Sequence, residues 1–227
     1  MSIKCSRSLT LMTPTVLNRI LKLEGAESVK VIDCSVHDAK LGRDPHEEYK
    51  QKHIPGAIFF DLNKCSDAST QLPFMVPKPA VFESYVGSLG IGNDSNVVAY
   101  DNAVWTSTRV WWLFRYFGHK NVSVLEGGLA RWVHEEFDVT SGDSPISKTE
   151  IFKSDTQDHL LKDYDDILKN LEVQSFQLVD TRSNGRFNGT SPEPREGNII
   201  QHIATESRFL FLLMLNIPQN NISFAKK

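Results

Sequence analysis

Cysteine is scarce in this chain. Its 227 residues hold three, Cys5, Cys34 and Cys65, with no CxxC or CxxxC pair and no clustered histidines, so neither a disulfide framework nor a metal site is expected. Reduced thiols in a reducing compartment are the default. No run approaches the roughly 20 apolar residues of a membrane span, and the start, MSIKCSRS, has no long apolar core behind its charges. A soluble, cytoplasmic protein is the expectation; the short basic, serine-containing start is compatible with mitochondrial import but lacks the length and arginine content of an import sequence. Charge of one sign is missing too. With 25 basic against 28 acidic residues the net charge is -3, and no whole-molecule field exists to gather nucleic acid or anionic lipid. Small-molecule or protein partners are favoured, with no nucleic acid and no membrane. What remains is ordinary globular material, 40% hydrophobic and 23% charged, enough for one large domain or two small ones.

The apolar patterning alternates between strand and helix. Thr13 reads as an N-cap with Pro14 at the first helical position, Val16, Leu17, Ile20, Leu21 and Leu23 as the apolar face, and Gly25 as the stop. Short β-branched runs at 29–34 and 57–60 flank a charged, helix-tolerant stretch at 44–52. Helical spacing returns at 79–89, a buried-strand run NVVAY follows at 96–100, and 106–117 is the strongest helix, with Gly118 as its cap. A strand at 122–125, the Glu126-Gly127-Gly128 turn and a short helix at 129–134 complete the series. This alternation predicts an α/β domain with a mainly parallel sheet flanked by helices, closing near Phe137. Residues 138–153 read as a polar linker. A helix at 163–171 then leads to the strand FQLVD at 176–180.

The chain also echoes itself. VIDC at 31–34 returns as LVDT at 178–181, and KHI at 52–54 as QHI at 201–203; Asp33 and His53 are 20 residues apart, Asp180 and His202 are 22. Such spacing predicts a duplicated fold. Only 25 residues follow His202, so the second copy is expected to be incomplete. The expected domains are 10–137, 138–175 as linker and lead-in helix, and 176–227. The run RFLFLLMLNI at 208–217 is expected to leave an apolar edge that associates, and protease to trim the chain to a core ending at 137–153.

Four segments carry a family resemblance: LGRDPHEEYKQKHIPGAIFFD at 41–61, RVWWLFRYFGH at 109–119, LEGGLARW at 125–132 and DTRSNGRFNGTSPEPREG at 180–197. In that order they resemble the thiosulfate and 3-mercaptopyruvate sulfurtransferases, which have two rhodanese domains. The resemblance implies transfer of sulfane sulfur from a small anionic donor to cyanide or a thiol, through a cysteine persulfide and with no metal or other cofactor. The family's reactive cysteine lies in the second domain, beyond the equivalent of His202, and in the first copy its place is taken by Asp101 in VVAYDNAVWTSTR. No catalytic residue therefore carries over, and the chain is expected to be catalytically incompetent. Two substrate-binding residues do: Arg186 and Arg195 match the arginines that grip the donor's sulfonate or carboxylate, which a guanidinium fork suits. Gly185, Gly189 and Gly197 match as tight-turn glycines. Two rival readings stay open, an active enzyme using an unrecognised cysteine such as Cys65, and a non-catalytic binding or regulatory module.

Taken residue by residue, Cys34 at the end of a strand and Cys65 in a polar loop after Asp61-Leu62-Asn63-Lys64 read as inert small residues, and His53 as a fold-building histidine bonded to backbone. Trp111 and Trp112 read as core and domain-interface packing.

Overall fold

The computed structural model describes residues 10–192, apart from 26, 38–40, 71, 103–104 and 147, together with the backbone of 207–208. The described chain divides into two compact units at Leu161/Lys162.

The first unit is built on a fully parallel sheet of β1 (Leu11–Met12), β5 (Val122–Leu125), β4 (Val97–Tyr100), β2 (Lys30–Asp33) and β3 (Ile58–Phe59), in that spatial order. Parallel neighbours need crossovers, and four helices supply them, α1 (Pro14–Glu24), α2 (Pro45–Gln51), α3 (Pro79–Ser88) and α4 (Thr106–Tyr116), while α5 (Gly128–His134) follows the last strand. Alternate residues of β4 serve opposite faces. Val97 and Ala99 pack with Phe82 of α3 and Leu113 and Phe114 of α4, while Val98 and Tyr100 pack with Leu17 of α1, Tyr49 of α2 and Trp132 of α5. A sheet buried on both faces needs apolar side chains on both, which is why VVAY is continuous rather than alternating.

Local chemistry sets the helix starts. The Thr13 side chain accepts from Val16 N at 3.4 Å, and Asp44 accepts from the N–H groups of His46 and Glu47 at 2.9 and 3.2 Å, each ahead of a proline in the first turn. The two-residue β1 has no counterpart in the periodicity, because a pair of residues carries no period; its parallel pairing with β5 makes it a strand.

The expected linker behaves differently from its composition. Thr140 forms a bridge with His53, Glu150 N donates to Gly87 O at 2.9 Å, Ser154 N and Oγ donate to Glu83 Oε1 at 2.8 and 2.6 Å, and Gln157 N donates to Tyr116 O at 2.7 Å. Phe152, 3% exposed, plugs into the α3–α4 core against Phe82. Residues 138–161 are thus a strap wound over the first unit, which extends it well past Phe137. Backbone hydrogen bonds hold the strap, and they leave almost no apolar signature for a sequence reading to find.

The second unit opens with α6 (Tyr164–Val173), started by a reciprocal capping box in which Asp166 N donates to Asp163 Oδ1 at 2.8 Å. Asn170, 4% exposed, ties helix to strand: its side chain donates to Phe176 O and accepts from Phe176 N, both at 3.0 Å. Then come β6 (Val179–Asp180), α7 (Asn184–Phe187) and β7 (Ser207–Arg208). β6 pairs with β7 in parallel, Asp180 opposite Arg208, just as β2 pairs with β3, Asp33 opposite Phe59. The offsets are 28 and 26 residues, which differ by the same two residues as the sequence echo. The apolar run at 208–217 lies outside the described residues, apart from the backbone of Arg208.

Candidate functional site

The strand ends set the chemistry of the first unit. Asp33 closes β2, is 1% exposed, and its Oδ1 accepts from Ser35 N at 2.9 Å. Asp101 follows β4, is also 1% exposed, and stands at the N-terminus of α4. Its Oδ2 accepts from Thr106 N at 2.7 Å, Ser107 N at 2.7 Å and Thr106 Oγ1 at 3.0 Å. The free N–H groups of the helix start, which would draw an anion or lower a thiol's pKa there, are therefore directed at this carboxylate. Burial holds the Asp33 carboxyl above the ordinary range; the neighbouring Asp101 charge adds to this, while hydrogen bonds from Ser35 and the Tyr100 hydroxyl oppose it.

The Asp101 loop is clamped from α5. Leu129 N donates to Asp101 O at 3.2 Å, and Gly128, at φ +56°, lies so close that a Cβ would meet Asp101 O at 2.1 Å. Only glycine fits the second half of the Gly127-Gly128 turn.

Cys34 and Cys65 are both fully buried. Desolvation pushes the Cys34 thiol well up, with Asp33 and Asp101 adding to it, and pushes Cys65 up to about 12, helped by Asp61. Neither is a thiolate near neutral pH, which agrees with reading them as inert, although Cys65 belongs to the core and not to a polar loop. Cys5 lies outside the described residues. His53, 1% exposed, lies 2.8 Å through Nδ1 from Tyr49 O, so Nδ1 carries the proton and donates. Its ring stacks on Tyr49 with centroids 4.2 Å apart. This is a fold-building arrangement.

In the second unit Asp180 ends β6 and its Oδ1 accepts from Arg182 N at 2.8 Å. The Arg182 guanidinium returns onto the same carboxylate, Nη2 to Oδ2 at 2.6 Å and Nε to Oδ2 at 2.8 Å. Of the three arginines in this stretch, Arg182 is therefore paired to a carboxylate. Arg186 is half-buried on α7, and Arg195 lies outside the described residues. Gly189 has φ +69°, as a tight turn requires, and Gly185 is helical; Gly197 lies outside the described residues. The buried Asp33, Tyr100 and Asp101 group escaped sequence reasoning. Its signal is an aspartate at the very end of a β-branched run, VID and VVAYD, where a strand-end carboxylate meets a helix start. Among the described residues no group of three or more His, Cys, Asp or Glu side chains is placed to hold a metal.

A parallel sheet covered on both faces, with strand-end loops that feed helix N-termini, is an α/β domain, and the rhodanese-like domain family matches its residues 16–135. The chain belongs to that family. Its relatives are sulfurtransferases: it is 42% identical to 3-mercaptopyruvate sulfurtransferase of Rattus norvegicus over 181 residues, 78% of this chain and 61% of that protein. It is 46% identical to thiosulfate sulfurtransferase of Bos taurus over 169 residues, 73% and 56% of the two. The chain thus spans about three-fifths of the length of these relatives. Among solved structures it resembles the 3-mercaptopyruvate sulfotransferase SseA of Escherichia coli, with a TM-score of 0.76 at 28% identity, covering 88% of this chain and 74% of that one. Tum1 of Saccharomyces cerevisiae gives 0.80 at 25% identity, covering 88% and 69%.

Proposed function

We propose that this chain is a catalytically incompetent member of the enzymes of sulfane sulfur transfer from thiosulfate or 3-mercaptopyruvate, with the first unit as a non-catalytic rhodanese domain and the region after β6 as the donor-gripping side. The observation that carries this is the seat of Asp101. Its carboxylate already takes the Thr106 and Ser107 N–H groups of α4, so a carboxylate, which cannot carry sulfane sulfur, occupies this strand end. Arg186 and Arg195 would hold the donor's sulfonate or carboxylate by paired, charge-assisted hydrogen bonds. In the transfer itself a cysteine thiolate attacks the outer sulfur of thiosulfate, the S–S bond breaks, and sulfite leaves with its electron pair; the resulting persulfide then passes its sulfur to cyanide or a thiol. With Cys34 and Cys65 buried and protonated, the described residues contain no cysteine fit for that step.

The test is incubation of the purified chain with thiosulfate and cyanide, and with 3-mercaptopyruvate and a thiol, followed by intact-protein mass measurement. The expected result is no turnover and no gain of a sulfur atom. Turnover that disappears when Cys5, Cys34 or Cys65 is changed to Ser would overturn it and establish an active enzyme. A second reading, a binding or regulatory module, is favoured by the exposed Trp105 indole beside the Asp101 loop, 57% accessible; it shares the null result in turnover. No helix among the described residues is long and apolar enough to cross a membrane. The cytoplasm is the proposed location, because buried, unpaired Cys34 and Cys65 suit a reducing compartment, with the mitochondrion as the alternative.

A further inference from the structure

The C-terminal end of α4 borders a cavity of about 200 Å³ that plays no part in the loops above. Trp111, Trp112 and Arg115 of α4 line one side, Lys120 of the following turn adds to it, and Gln157 and His159 of the strap close the other. The walls are set without any ligand. Trp111 Nε1 donates to Val122 O at 3.2 Å, and Trp112 stacks on Tyr116 at 5.4 Å with the Arg109 guanidinium 4.6 Å from its ring centre. The strap is pinned to the end of α4 by Asp155 N donating to Phe117 O at 3.1 Å and by the approach at Gly118, φ +85°, where a Cβ would meet Asp155 O at 2.6 Å.

The charge in this cleft is one-sided. Arg115 donates to Lys120 O at 3.4 Å, and none of Arg115, Lys120 and His159 forms an ion pair among the described residues. Of the acids nearby, the Asp155 carboxylate is engaged by Gln157 Nε2 at 3.3 Å, and the Asp158 charge helps burial hold the Tyr116 hydroxyl above its ordinary range. Trp111 and the edge of Trp112, whose ring is engaged by Tyr116 and Arg109, offer apolar surface, and cationic groups stand at the rim without counter-ions. The volume is below that of pockets for drug-sized molecules and suits a single ring with a short acidic arm.

We propose that this cleft binds a small aromatic carboxylate, its ring against Trp111 and the edge of Trp112 and its carboxylate between Arg115 and Lys120. Ring stacking gives the orientation, and the guanidinium and ammonium select for charge. The proposal stands independently of the sulfur-transfer reading. Phenylacetate is the probe, titrated into the full chain while the indole N–H resonances of Trp111 and Trp112 are followed by NMR. Saturable shifts at those two indoles are expected, with the neutral isostere 2-phenylacetamide binding about tenfold or more weakly. Arg115→Gln and Lys120→Gln should each weaken phenylacetate by a similar factor; Lys120 is exposed, so its variant keeps the fold if Arg115→Gln does not. Absence of saturation, equal binding of acid and amide, unchanged affinity in Lys120→Gln, or shifts confined to Trp105 or Trp132 would each overturn the proposal.

Discussion

Asp33 at the end of β2 and Asp180 at the end of β6 accept the backbone N–H two residues on, at 2.9 and 2.8 Å, yet they satisfy their charge by different means. Asp33 is buried among uncharged donors, Ser35 and Tyr100, with Asp101 close by, and its carboxyl is pushed towards the neutral form. Asp180 faces a guanidinium, that of Arg182, and keeps its charge in an ion pair. The same strand-end turn thus serves a packed, self-satisfied loop in the first unit and an arginine-bearing one in the second. Among the described residues the second turn carries a cation, Arg182, and Asp180 already holds it. At another strand end of the first unit, that of β4, Asp101 holds the Thr106 and Ser107 N–H groups of the α4 start.

The glycines under the two loops should separate the copies most sharply. Gly128→Ala forces φ +56° on a side chain and drives a Cβ into the Asp101 carbonyl, so a loss of about 4 kcal/mol is expected in urea unfolding of the first unit. Gly185→Ala in the second unit meets Ser191 Oγ, which can turn away, and Ser191 Cβ, which must shift by a few tenths of an ångström, and about 2 kcal/mol is expected. Equal losses would mean that the Asp101 loop is not held as rigidly as its contacts indicate.

A smaller effect probes where the first unit ends. Phe152→Ala removes the strap's anchor in the α3–α4 core and should cost about 3 kcal/mol, releasing 138–161 to protease. In the unaltered chain, limited proteolysis should leave a core reaching Leu161, and a stable product ending at Phe137 would show that the strap contributes little.

The smallest expected effect concerns the contrast in charge. Because the native pKa of Asp33 is raised above its unfolded value of 3.8, its contribution to stability is full below that value and is lost as pH rises through the native pKa. Asp33→Asn cannot ionise, so its stability relative to the unaltered chain should improve on going from acid to neutral pH. Urea midpoints near the unfolded pKa and at neutrality measure this, and a variant that loses ground on neutralisation would show that Asp33 is stabilised by its charge after all.

Much of this was legible in residue order. The two-faced apolar runs KVID, VVAY and VSVL announced a buried parallel sheet, Thr13-Pro14 and Asp44-Pro45 marked helix starts, and the VID and LVD echo located the second β-strand turn, because strand burial and capping are decided within a few residues. The resemblance carried by 41–61, 109–132 and 180–197 pointed to the rhodanese fold before any coordinates. Only the tertiary structure decided the rest. It bound the polar strap to the first unit through backbone hydrogen bonds that composition does not encode, and it buried Cys65, which its loop sequence had placed among polar neighbours. It also aimed two α4 N–H groups at Asp101 and turned Arg182 back onto Asp180. Those outcomes depend on which groups meet across tens of residues, and a carboxylate's or thiol's chemistry is set by the partners and the dielectric it meets there.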